Sequence, residues 1–428
     1  MAHSTAMKLL RYDQPDFAEA LTRAMAGSSL FDTGIEEHVR AIITDVKTRG
    51  DAALIELTDR FDRVKLTPQQ LRVTAPTARV DAKLRDGIAA AQKNITTFAR
   101  RSLRKNWSMR NAQGARDGER FDPFQRVGIY VPGGNAPLVS TALMTITLAR
   151  VVNCPEIVVC TPPPINPSLL YAIRIAGATE VYQVNGVGAI AAMALGTTSI
   201  KRVQKVFGPG NAYVVTAKRL LFGHVAVDLL PGPSEVLIIA DDSANTAWIA
   251  ADMLAQAEHG SGHERVWLVT TSERVFTRTP EAACPQTAAL KRADFIRRAL
   301  DNNCVLVLAK DLQQAIGIAN QFAPEHCEVM TRNAAKVAAK IKTAGAIFLG
   351  PWSPTVAGDY LAGPSHELPT GGAGASFAGL TVDQFQRRTS IVELSRESLR
   401  KSLPTLEQFA AVEGLDAHAA SARIRFQR

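Results

Sequence analysis

The end of one expected helix carries an amide and an imidazole on the same face. We expect this helix to begin at Ser243, a favourable N-cap, and to end at Gly260. Gln256 and His259 are three residues apart, so their side chains lie one turn apart on one face. An amide oxygen and an imidazole held at a helix end could supply half of a metal site. The competing interpretation is a solvated helix face.

The dipeptide Glu325-His326 places a carboxylate beside an imidazole, in the turn that enters an apolar strand over residues 327–330. Such a pair could divide the acid–base chemistry of an alcohol oxidation. His326 would take the hydroxyl proton, and Glu325 would activate a water for a later step. The competing interpretation is an ordinary polar loop.

A long loop rich in glycine and proline, residues 350–375, supplies further polar groups. Loops of this length inside a compact domain usually have a function. Asp359 has the oxygen, and His366 the imidazole, that zinc accepts. Near the C-terminus, Glu413 and His418 add another carboxylate and another imidazole. These groups extend the set of candidate metal and acid–base residues.

Two glycine-rich turns could bind a phosphate. Residues 186–191 fit the G-x-G-x-x-A pattern of dinucleotide-binding turns, between an expected strand and an expected helix. The acidic residue that this pattern requires about 20 residues later is absent, since Gln204 and Lys205 stand there. The backbone N–H groups of residues 208–211 could also meet a phosphate. Alternatively, that stretch is only a sharp turn between a strand and a helix.

The composition is that of a globular protein of 428 residues, with room for two or three domains. Its 46% hydrophobic and 21% charged residues argue against disorder. The net charge of +9 is spread out, and its densest cluster, residues 100–105, lacks interleaved aromatic residues beyond Trp107, so we expect no nucleic-acid partner. The five cysteines include no CxxC pair. No apolar run reaches about 18 residues and no signal-peptide core is visible, so we expect a soluble, cytoplasmic protein with no membrane partner.

The order of the expected elements changes at Arg126. Before it the periodicity favours helices only, the last of them over residues 81–107. After it, strands alternate with helices of about ten residues in two series, which is typical of βαβ units and parallel sheets. Residues 273–288, with Pro280 and Pro285, are expected to form a loop. The tail from Thr389 on returns to helix, with separate helices expected over residues 395–401, 404–413 and 416–425.

We therefore predict an α/β fold with two Rossmann-like parallel-sheet domains and helical N-terminal and C-terminal segments. The predicted units are a helical segment over residues 1–30, a discontinuous α/β domain over 31–126 plus 235–384, a second α/β domain over 127–234, and a helical tail over 385–428.

Taken together, these stretches resemble the histidinol dehydrogenase family, over nearly the whole chain from Phe31 to His418. Seven matches in the right order carry the resemblance: residues 127–134 (VGIYVPGG), 208–211 (GPGN), 232–235 (GPSE), 254–259 (LAQAEH), 322–328 (FAPEHCE), 358–360 (GDY), and His366 with 368–372 (LPTGG).

The resemblance implies an enzyme that binds one zinc ion per active site, uses NAD, and oxidises L-histidinol to L-histidine through the aldehyde in two hydride transfers. Glu325 and His326 match the catalytic acid–base pair. The other functional positions carry over as follows: the metal ligands are Gln256, His259, Asp359 and His418; the substrate contacts are Ser234, Gln256, His259, His326, Asp359, His366, Glu413 and His418; the cofactor contacts are Tyr130, Gly188 and Asn211.

The resemblance also implies a homodimer with shared active sites. The C-terminal tail would be swapped, so that Glu413 and His418 come from the other chain. Several positions depart from the family pattern: Gly188 replaces a usual glutamine, Pro231 a usual alanine, and Glu367 a usually uncharged residue. A paralogue acting on another small polar alcohol is therefore the alternative. A non-catalytic nucleotide- or metal-binding protein and a zinc hydrolase are rival interpretations from other classes.

Overall fold

The computed structural model describes residues 7–26, 32–75, 78–133 and 137–427. Within these ranges, no helix combines the length and the apolar character that crossing a bilayer requires. Gly134 at the end of the first motif, Phe31 and parts of the predicted segment 1–30 lie outside the described residues.

Among the described residues, one layer is a six-stranded parallel sheet. Its central strands are continuous apolar runs because helices cover both faces of the sheet. Its first strand corrects our expectation of a purely helical N-terminal segment, since four residues are too few for a recognisable pattern. In spatial order the strands are β1 (Lys8–Arg11), β11 (Cys304–Leu308), β10 (Arg265–Thr270), β9 (Glu235–Ala240), β12 (His326–Met330) and β13 (Ala346–Leu349).

A second layer is a five-stranded parallel sheet. It contains the strands of the first predicted α/β series. With these two sheets, the predicted α/β class with two Rossmann-like units is confirmed. In spatial order the strands are β6 (Glu180–Gln183), β5 (Glu156–Thr161), β4 (Arg126–Tyr130), β7 (Lys205–Phe207) and β8 (Ala226–Val227).

A three-stranded antiparallel sheet was not predicted. It consists of β2 (Trp107–Arg110), β3 (Arg116–Pro123) and β14 (Gln386–Glu393), with β3 in the middle. The predicted helical tail over residues 385–428 therefore begins with a strand, which extends as far as Glu393. The backbone of β14 pairs with a strand more than 260 residues away, and local periodicity cannot reveal such a partner.

Helices fill the space around the sheets. They are α1 (Phe17–Met25), α2 (Thr33–Arg49), α3 (Asp51–Asp62), α4 (Pro68–Leu71), α5 (Ala82–Ser102), α6 (Val139–Val151), α7 (Pro167–Ala176), α8 (Gly186–Leu195), α9 (Ala212–Leu221), α10 (Thr246–Ala257), α11 (Glu273–Ala289), α12 (Ala293–Asn303), α13 (Leu312–Phe322), α14 (Ala334–Ala338), α15 (Thr355–Tyr360), α16 (Arg396–Glu413) and α17 (Asp416–Arg423).

Two proline-containing stretches are helical against our expectation. Residues 273–288 form most of α11, with Pro280 and Pro285 inside it. Its buried residues recur at helical spacing, and this packed face outweighs the two missing N–H groups. In the tail, α16 continues through Pro404, where we expected separate helices.

The cap of α10 differs from the prediction. Asn245, not Ser243, is the N-cap, and its side chain accepts hydrogen bonds from the N–H groups of Ala247 and Trp248. The regular helix ends at Ala257, so His259 lies just beyond it.

The helices of residues 33–102 pack on the five-stranded sheet. Val39 and Leu54 share one core with Tyr130 and Val158, and Ile95 shares another with Val127. This packing contradicts the predicted grouping of residues 31–126 with 235–384, because the apolar faces of α2, α3 and α5 are buried against the other sheet. The predicted boundaries at residues 127 and 234 stay predictions.

Candidate active site

The main chain of Glu235 holds both members of the Glu325-His326 pair. Glu235 is the first residue of β9, and His326 is the first residue of the adjacent strand β12. The N–H of Glu235 donates to Oε2 of Glu325 at 2.7 Å, and the carbonyl oxygen of Glu235 lies 3.0 Å from Nδ1 of His326. Both side chains are buried. The pair is therefore fixed at the start of a central strand. Such fixed geometry is not expected of an ordinary polar loop, which was the competing interpretation.

His326 lies between two carboxylates. Its Nε2 makes no hydrogen bond among the described residues and lies 3.7 Å from Oδ1 of Asp359, while its Nδ1 lies 3.5 Å from Oε2 of Glu325. Burial lowers the pKa of His326, but the charge and hydrogen bond of Glu325, the charge of Asp359 and the Glu235 carbonyl together raise it to about 9. A cation bound by Asp359 would oppose the imidazolium and bring the pKa toward the range that a general base needs.

His366 joins the two parallel sheets at this site. Its Nδ1 lies 3.0 Å from the main-chain oxygen of Asp359 on α15, and its Nε2 lies 3.2 Å from Oγ1 of Thr141 on α6. Burial lowers the pKa of His366, whereas the hydrogen bond and charge of Glu367 raise it, and the net direction is upward. The candidate site thus lies between the amino edge of β12 and the start of α6.

The last turn of α10 and the residues directly after it carry two candidate ligands. The helix packs beside the segment that leads into α15, because the ring centroids of Trp248 on α10 and of Trp352 lie 5.0 Å apart. Gln256 is 2% exposed, and its Nε2 has no hydrogen-bond partner among the described residues. Nδ1 of His259 lies 3.0 Å from the carbonyl oxygen of Gln256, which leaves Nε2 for a cation.

These donors fit a zinc ion in part. Gln256, His259 and Asp359 offer one nitrogen and two oxygens, a mixture that zinc accepts. A buried amide with an unpartnered polar atom, such as that of Gln256, can turn its oxygen toward a cation. Among the described residues, no group of three His, Cys, Asp or Glu side chains could hold a metal.

The remaining predicted substrate contacts lie in two places. Ser234 directly precedes β9, and its carbonyl oxygen accepts a hydrogen bond from the N–H of Arg265. It is thus one residue from the main chain that holds the catalytic pair. Glu413 ends α16 and His418 lies in α17, and both are exposed in the single chain. These two roles stay predictions.

Two of the predicted cofactor contacts lie at the carboxyl edge of the five-stranded sheet. Tyr130 ends β4, and its hydroxyl donates to Oδ1 of Asn185 at 3.0 Å and accepts from the N–H of Gly186 at 3.2 Å. Asn211 is the N-cap of α9, and its side-chain oxygen accepts from the first N–H groups of that helix. Ligands of open α/β sheets bind at such edges.

Gly188, the third predicted cofactor contact, lies in the third position of α8. A Cβ atom at this position would lie 3.4 Å from side-chain carbons of Leu54 and of Leu57, both on α3. The first atom of any side chain here would therefore enter a helix–helix contact. The assignment of Gly188 to the cofactor stays a prediction.

One hydrogen-bonded chain at this edge was missed. Nδ2 of Asn185 donates to Oδ1 of Asp62 at 2.7 Å, so Asp62, Asn185 and Tyr130 are connected. Burial raises the pKa of Asp62 to about 6, although the hydrogen bond from Asn185 opposes this. Asn185 could have been suspected because it precedes the glycine motif. No sequence pattern marks Asp62 as a site residue, since its hydrogen-bond partner Asn185 lies 123 residues away.

Comparison with known proteins gives one consistent result. Residues 27–426 match the sequence model of the family described as histidinol dehydrogenase. The chain is similar to histidinol dehydrogenase from Syntrophotalea carbinolica, at 41% identity over 98% of this chain and 99% of that one, and from Vibrio parahaemolyticus, at 42% over 91% of each. The crystal structure of histidinol dehydrogenase from Elizabethkingia anophelis covers 99% of both chains with a TM-score of 0.94 and 32% identity.

Proposed function

The chain belongs to the histidinol dehydrogenase family, and from this membership and the site geometry we propose that it oxidises L-histidinol to L-histidine. The reaction would pass through the aldehyde in two hydride transfers to NAD, as a step of histidine biosynthesis in the cytoplasm. The observation that carries the proposal is the buried Glu325-His326 pair, fixed by the main chain of Glu235 beside Asp359.

The proposed metal is zinc, held by Gln256, His259 and Asp359 of one chain and by His418 of the partner subunit. When bound, zinc supplies a Lewis acid that orients and polarises the substrate oxygen, and NAD supplies the hydride acceptor. The side chains of this chain would carry out the proton transfers.

In the first oxidation, the hydroxyl proton would go to Nε2 of His326, while bound NAD would supply the acceptor for the C–H hydride. Nδ1 of His326 donates its own proton to the carbonyl of Glu235, so Nε2 carries the lone pair when the ring is neutral. The carbonyl fixes the ring orientation. This step leaves the aldehyde, NADH and a protonated His326.

In the second oxidation, Glu325 takes a proton from the water that adds to the aldehyde carbon. The hydrated aldehyde would then give up its hydride, for which a second bound NAD would supply the acceptor. Its remaining proton would go to His326, once that ring has released its first proton to solvent, and the product would be the carboxylate. Glu325 keeps one oxygen on the Glu235 N–H, which orients the carboxylate. Glu325 is 5% exposed, so little of it is open to bulk water.

The tail has features that suit exchange between two subunits. In the single chain, apolar side chains of α16 and of the segment after α17 are exposed, among them Phe409, Val412 and Ile424. On the other side of the proposed contact, Trp352 and Tyr360 are exposed beside the site. A swapped homodimer would cover such surfaces and deliver Glu413 and His418 of the partner subunit to the donors of this chain.

NAD would lie along the carboxyl edge of the five-stranded sheet, near Tyr130, Gly188 and Asn211. The glycine-rich turn at residues 208–211 opens α9, and the first N–H groups of a helix attract phosphate. Glycine is required at position 208 in this turn, because its φ is +112° and a Cβ there would lie 2.0 Å from the main-chain oxygen of Tyr130.

A paralogue that oxidises another small polar alcohol is the second candidate. The observation that favours it is Glu367, which lies 3.5 Å from Nε2 of His366 and adds a charge to the wall of the substrate site. Glu413, suited to an amine, favours histidinol.

The test is NADH absorbance with purified, zinc-loaded protein and NAD, with L-histidinol compared with a panel of small diols and amino alcohols. We expect about two NADH for each histidinol consumed, because an alcohol becomes a carboxylate. A chelator should abolish this activity, and added zinc should restore it. Oxidation of another alcohol with histidinol inert would favour the paralogue. Hydrolysis without NAD, or no reaction across the panel, would contradict the proposal.

A further inference from the structure

A buried ion pair lies behind the glycine-rich turn at residues 208–211. Lys218 on α9 and Asp228, which directly follows β8, form the pair, and their side chains are 1% and 4% exposed. Neither the proposed acid–base chemistry nor the proposed zinc site uses them. A buried ion pair contributes little net stability, because the cost of removing both charges from water offsets their attraction. The stability of the fold is therefore a weak explanation for the pair.

Both members of the pair also bind the main chain of Gly208. Nζ of Lys218 donates to the carbonyl oxygen of Gly208 at 2.9 Å, and the N–H of Gly208 donates to Oδ2 of Asp228 at 2.8 Å. The two side chains thus hold the peptide groups on both sides of the Gly208 Cα atom. Hydrogen bonds to charged groups are stronger than those between neutral groups, so the orientation of both peptide groups is fixed.

Asp228 is in turn held by the pairing of β7 with β8. Val206 pairs with Val227, and the N–H of the next residue, Asp228, donates to the carbonyl oxygen of Val206 at 3.2 Å. The backbone and the side chain of Asp228 therefore bind the same segment, at Val206 and at Gly208. Lys218 adds α9 to this arrangement, so the ion pair connects β7, β8 and the helix that follows the turn.

The turn held by this pair is the one proposed to bind a cofactor phosphate. The side chain of Asn211 accepts the N–H groups of Tyr213 and Val214. This leaves the N–H groups of Asn211 and Ala212, at the very start of α9, for a ligand. Their position depends on the direction in which the chain leaves Gly208. A shift of the Gly208 peptide groups would therefore move the donors that a phosphate needs.

We propose that Lys218 and Asp228 are positioning residues for the cofactor, and that their ion pair holds Gly208 so that the first N–H groups of α9 meet a phosphate of NAD. This inference rests on the proposed function. Both side chains are buried and bound to Gly208, so they act through the turn and do not touch the cofactor.

Three substitutions separate the ion pair from the hydrogen bonds to Gly208. Asp228→Asn removes the negative charge but keeps a side-chain oxygen for the Gly208 N–H, and Lys218 keeps its own N–H groups to donate. Lys218→Met removes the donor to the Gly208 carbonyl, and Asp228→Ala removes the acceptor of the Gly208 N–H. Each substitution leaves one charge buried without its partner, so all three variants should unfold at a lower temperature than wild type.

The measurement is the dissociation constant of NADH, the reduced form of the proposed cofactor, from its fluorescence with zinc-loaded, full-length protein. We expect Asp228→Asn to bind NADH within about threefold of wild type. Lys218→Met and Asp228→Ala should bind it at least about tenfold more weakly, because each loses a charged hydrogen-bond partner of the turn. Thermal unfolding is recorded for every variant.

Two controls accompany this comparison. Zinc affinity, from competition with a chelator, should stay within about twofold of wild type in all three variants, because the pair acts on the cofactor turn alone. Lys83→Met removes an exposed lysine on α5 and should match wild type in NADH affinity, zinc affinity and thermal unfolding.

A double variant keeps the test valid if Lys218→Met does not fold. Lys218→Met combined with Asp228→Asn has no unpaired buried charge and keeps an acceptor for the Gly208 N–H, so it should be more stable than Lys218→Met alone. Its affinity for NADH should remain at least about tenfold below that of wild type, since the Gly208 carbonyl still lacks its donor.

The outcomes separate this inference from the proposed function. If NADH affinity follows thermal stability, so that Asp228→Asn binds as weakly as Lys218→Met or the double variant recovers wild-type affinity, the pair serves only the fold and the proposed reaction stands. Unchanged NADH affinity in Lys218→Met also overturns the inference alone. If wild type itself binds no NADH, the proposed cofactor and this inference both fail.

Discussion

The carbonyl oxygen of Glu235 lies 3.0 Å from Nδ1 of His326, and this bond decides which ring nitrogen can act as a base. Nδ1 must carry a proton to make the bond, so Nε2 remains the acceptor in a neutral ring. Nε2 is also the nitrogen that faces Asp359. The orientation of the proposed base therefore follows from the pairing of β9 with β12.

Separate substitutions of the catalytic pair should divide the reaction into its two steps. We expect His326→Gln to lower the rate of the first oxidation about 10²- to 10⁴-fold, because the general base is lost. Glu325→Gln keeps an acceptor for the Glu235 N–H but cannot deprotonate water, so NADH per histidinol should fall from about two toward one. Stopped-flow absorbance with aldehyde trapping measures both effects.

The control for these variants is Glu281→Gln, an exposed carboxylate on α11. It should retain the wild-type rate and the wild-type stoichiometry. Full turnover by Glu325→Gln would assign the activation of water to another group.

The pKa of His326 gives a pH dependence to the stability of the metal-free protein. Its value in the folded protein, about 9, lies above the ordinary value near 6.5. The stabilisation is therefore fully present below about pH 6.5 and is lost as the pH rises through about 9. Urea unfolding of wild type and His326→Gln across this window should show a stability difference that shrinks with pH. A difference that stays constant would contradict the assigned charge.

The arrangement around His326 was predictable only in outline. The order of strands and helices predicted two parallel sheets, and the sequence motifs selected Glu325 and His326. No local pattern predicts that Glu235 supplies both of their hydrogen bonds, because the partners are 90 and 91 residues apart and meet only when β9 pairs with β12.

Two strong local patterns led to wrong predictions, one of a loop and one of the sheet that a group of helices covers. Pro280 and Pro285 favoured a loop, yet the buried face of α11 dominates there. The helices of residues 33–102 were predicted correctly as helices but grouped with the wrong sheet, since periodicity gives the apolar face of a helix and not the surface that covers it.

Alanine at Gly188 should be tolerated. Its Cβ would lie at ordinary contact distance, 3.4 Å, from carbons of Leu54 and Leu57, and glycine inside a helix is unfavourable. We expect Gly188→Ala to raise the free energy of unfolding by about 0.5–1 kcal/mol. Urea unfolding measures this change. The NAD KM should stay within about twofold of wild type, because the new methyl group faces α3; a large rise in KM would show that Gly188 contacts the cofactor directly.

Gly208→Ala should have the opposite effect on stability. The φ of Gly208 is +112°, and a Cβ would lie 2.0 Å from the main-chain oxygen of Tyr130. The backbone of β4 or of the turn must move, which we expect to cost about 2 kcal/mol or more of folding free energy. Because Tyr130 is a proposed NAD contact, the NAD KM should also rise. Thermal unfolding and steady-state kinetics, run beside Gly188→Ala, separate this effect from that of an added methyl group alone.

Two inactive variants should restore activity when their subunits are mixed. If the tail is swapped, each active site combines Glu325 of one subunit with His418 of the partner subunit. Glu325→Gln and His418→Ala should each lose the complete reaction as homodimers. In a heterodimer of the two, one site receives both substitutions and the other receives neither.

Random exchange of subunits gives half heterodimers, so about one quarter of all sites should be intact. The measurement is the formation of L-histidine from histidinol, the complete reaction, after the two variants are unfolded together, refolded with zinc and compared with each variant refolded alone. As the control, Glu325→Gln mixed with His326→Gln should show no recovery, because both substitutions lie in the same part of each subunit and every site keeps one of them. Recovery in the control, or none in the test mixture, would contradict a site shared between two chains.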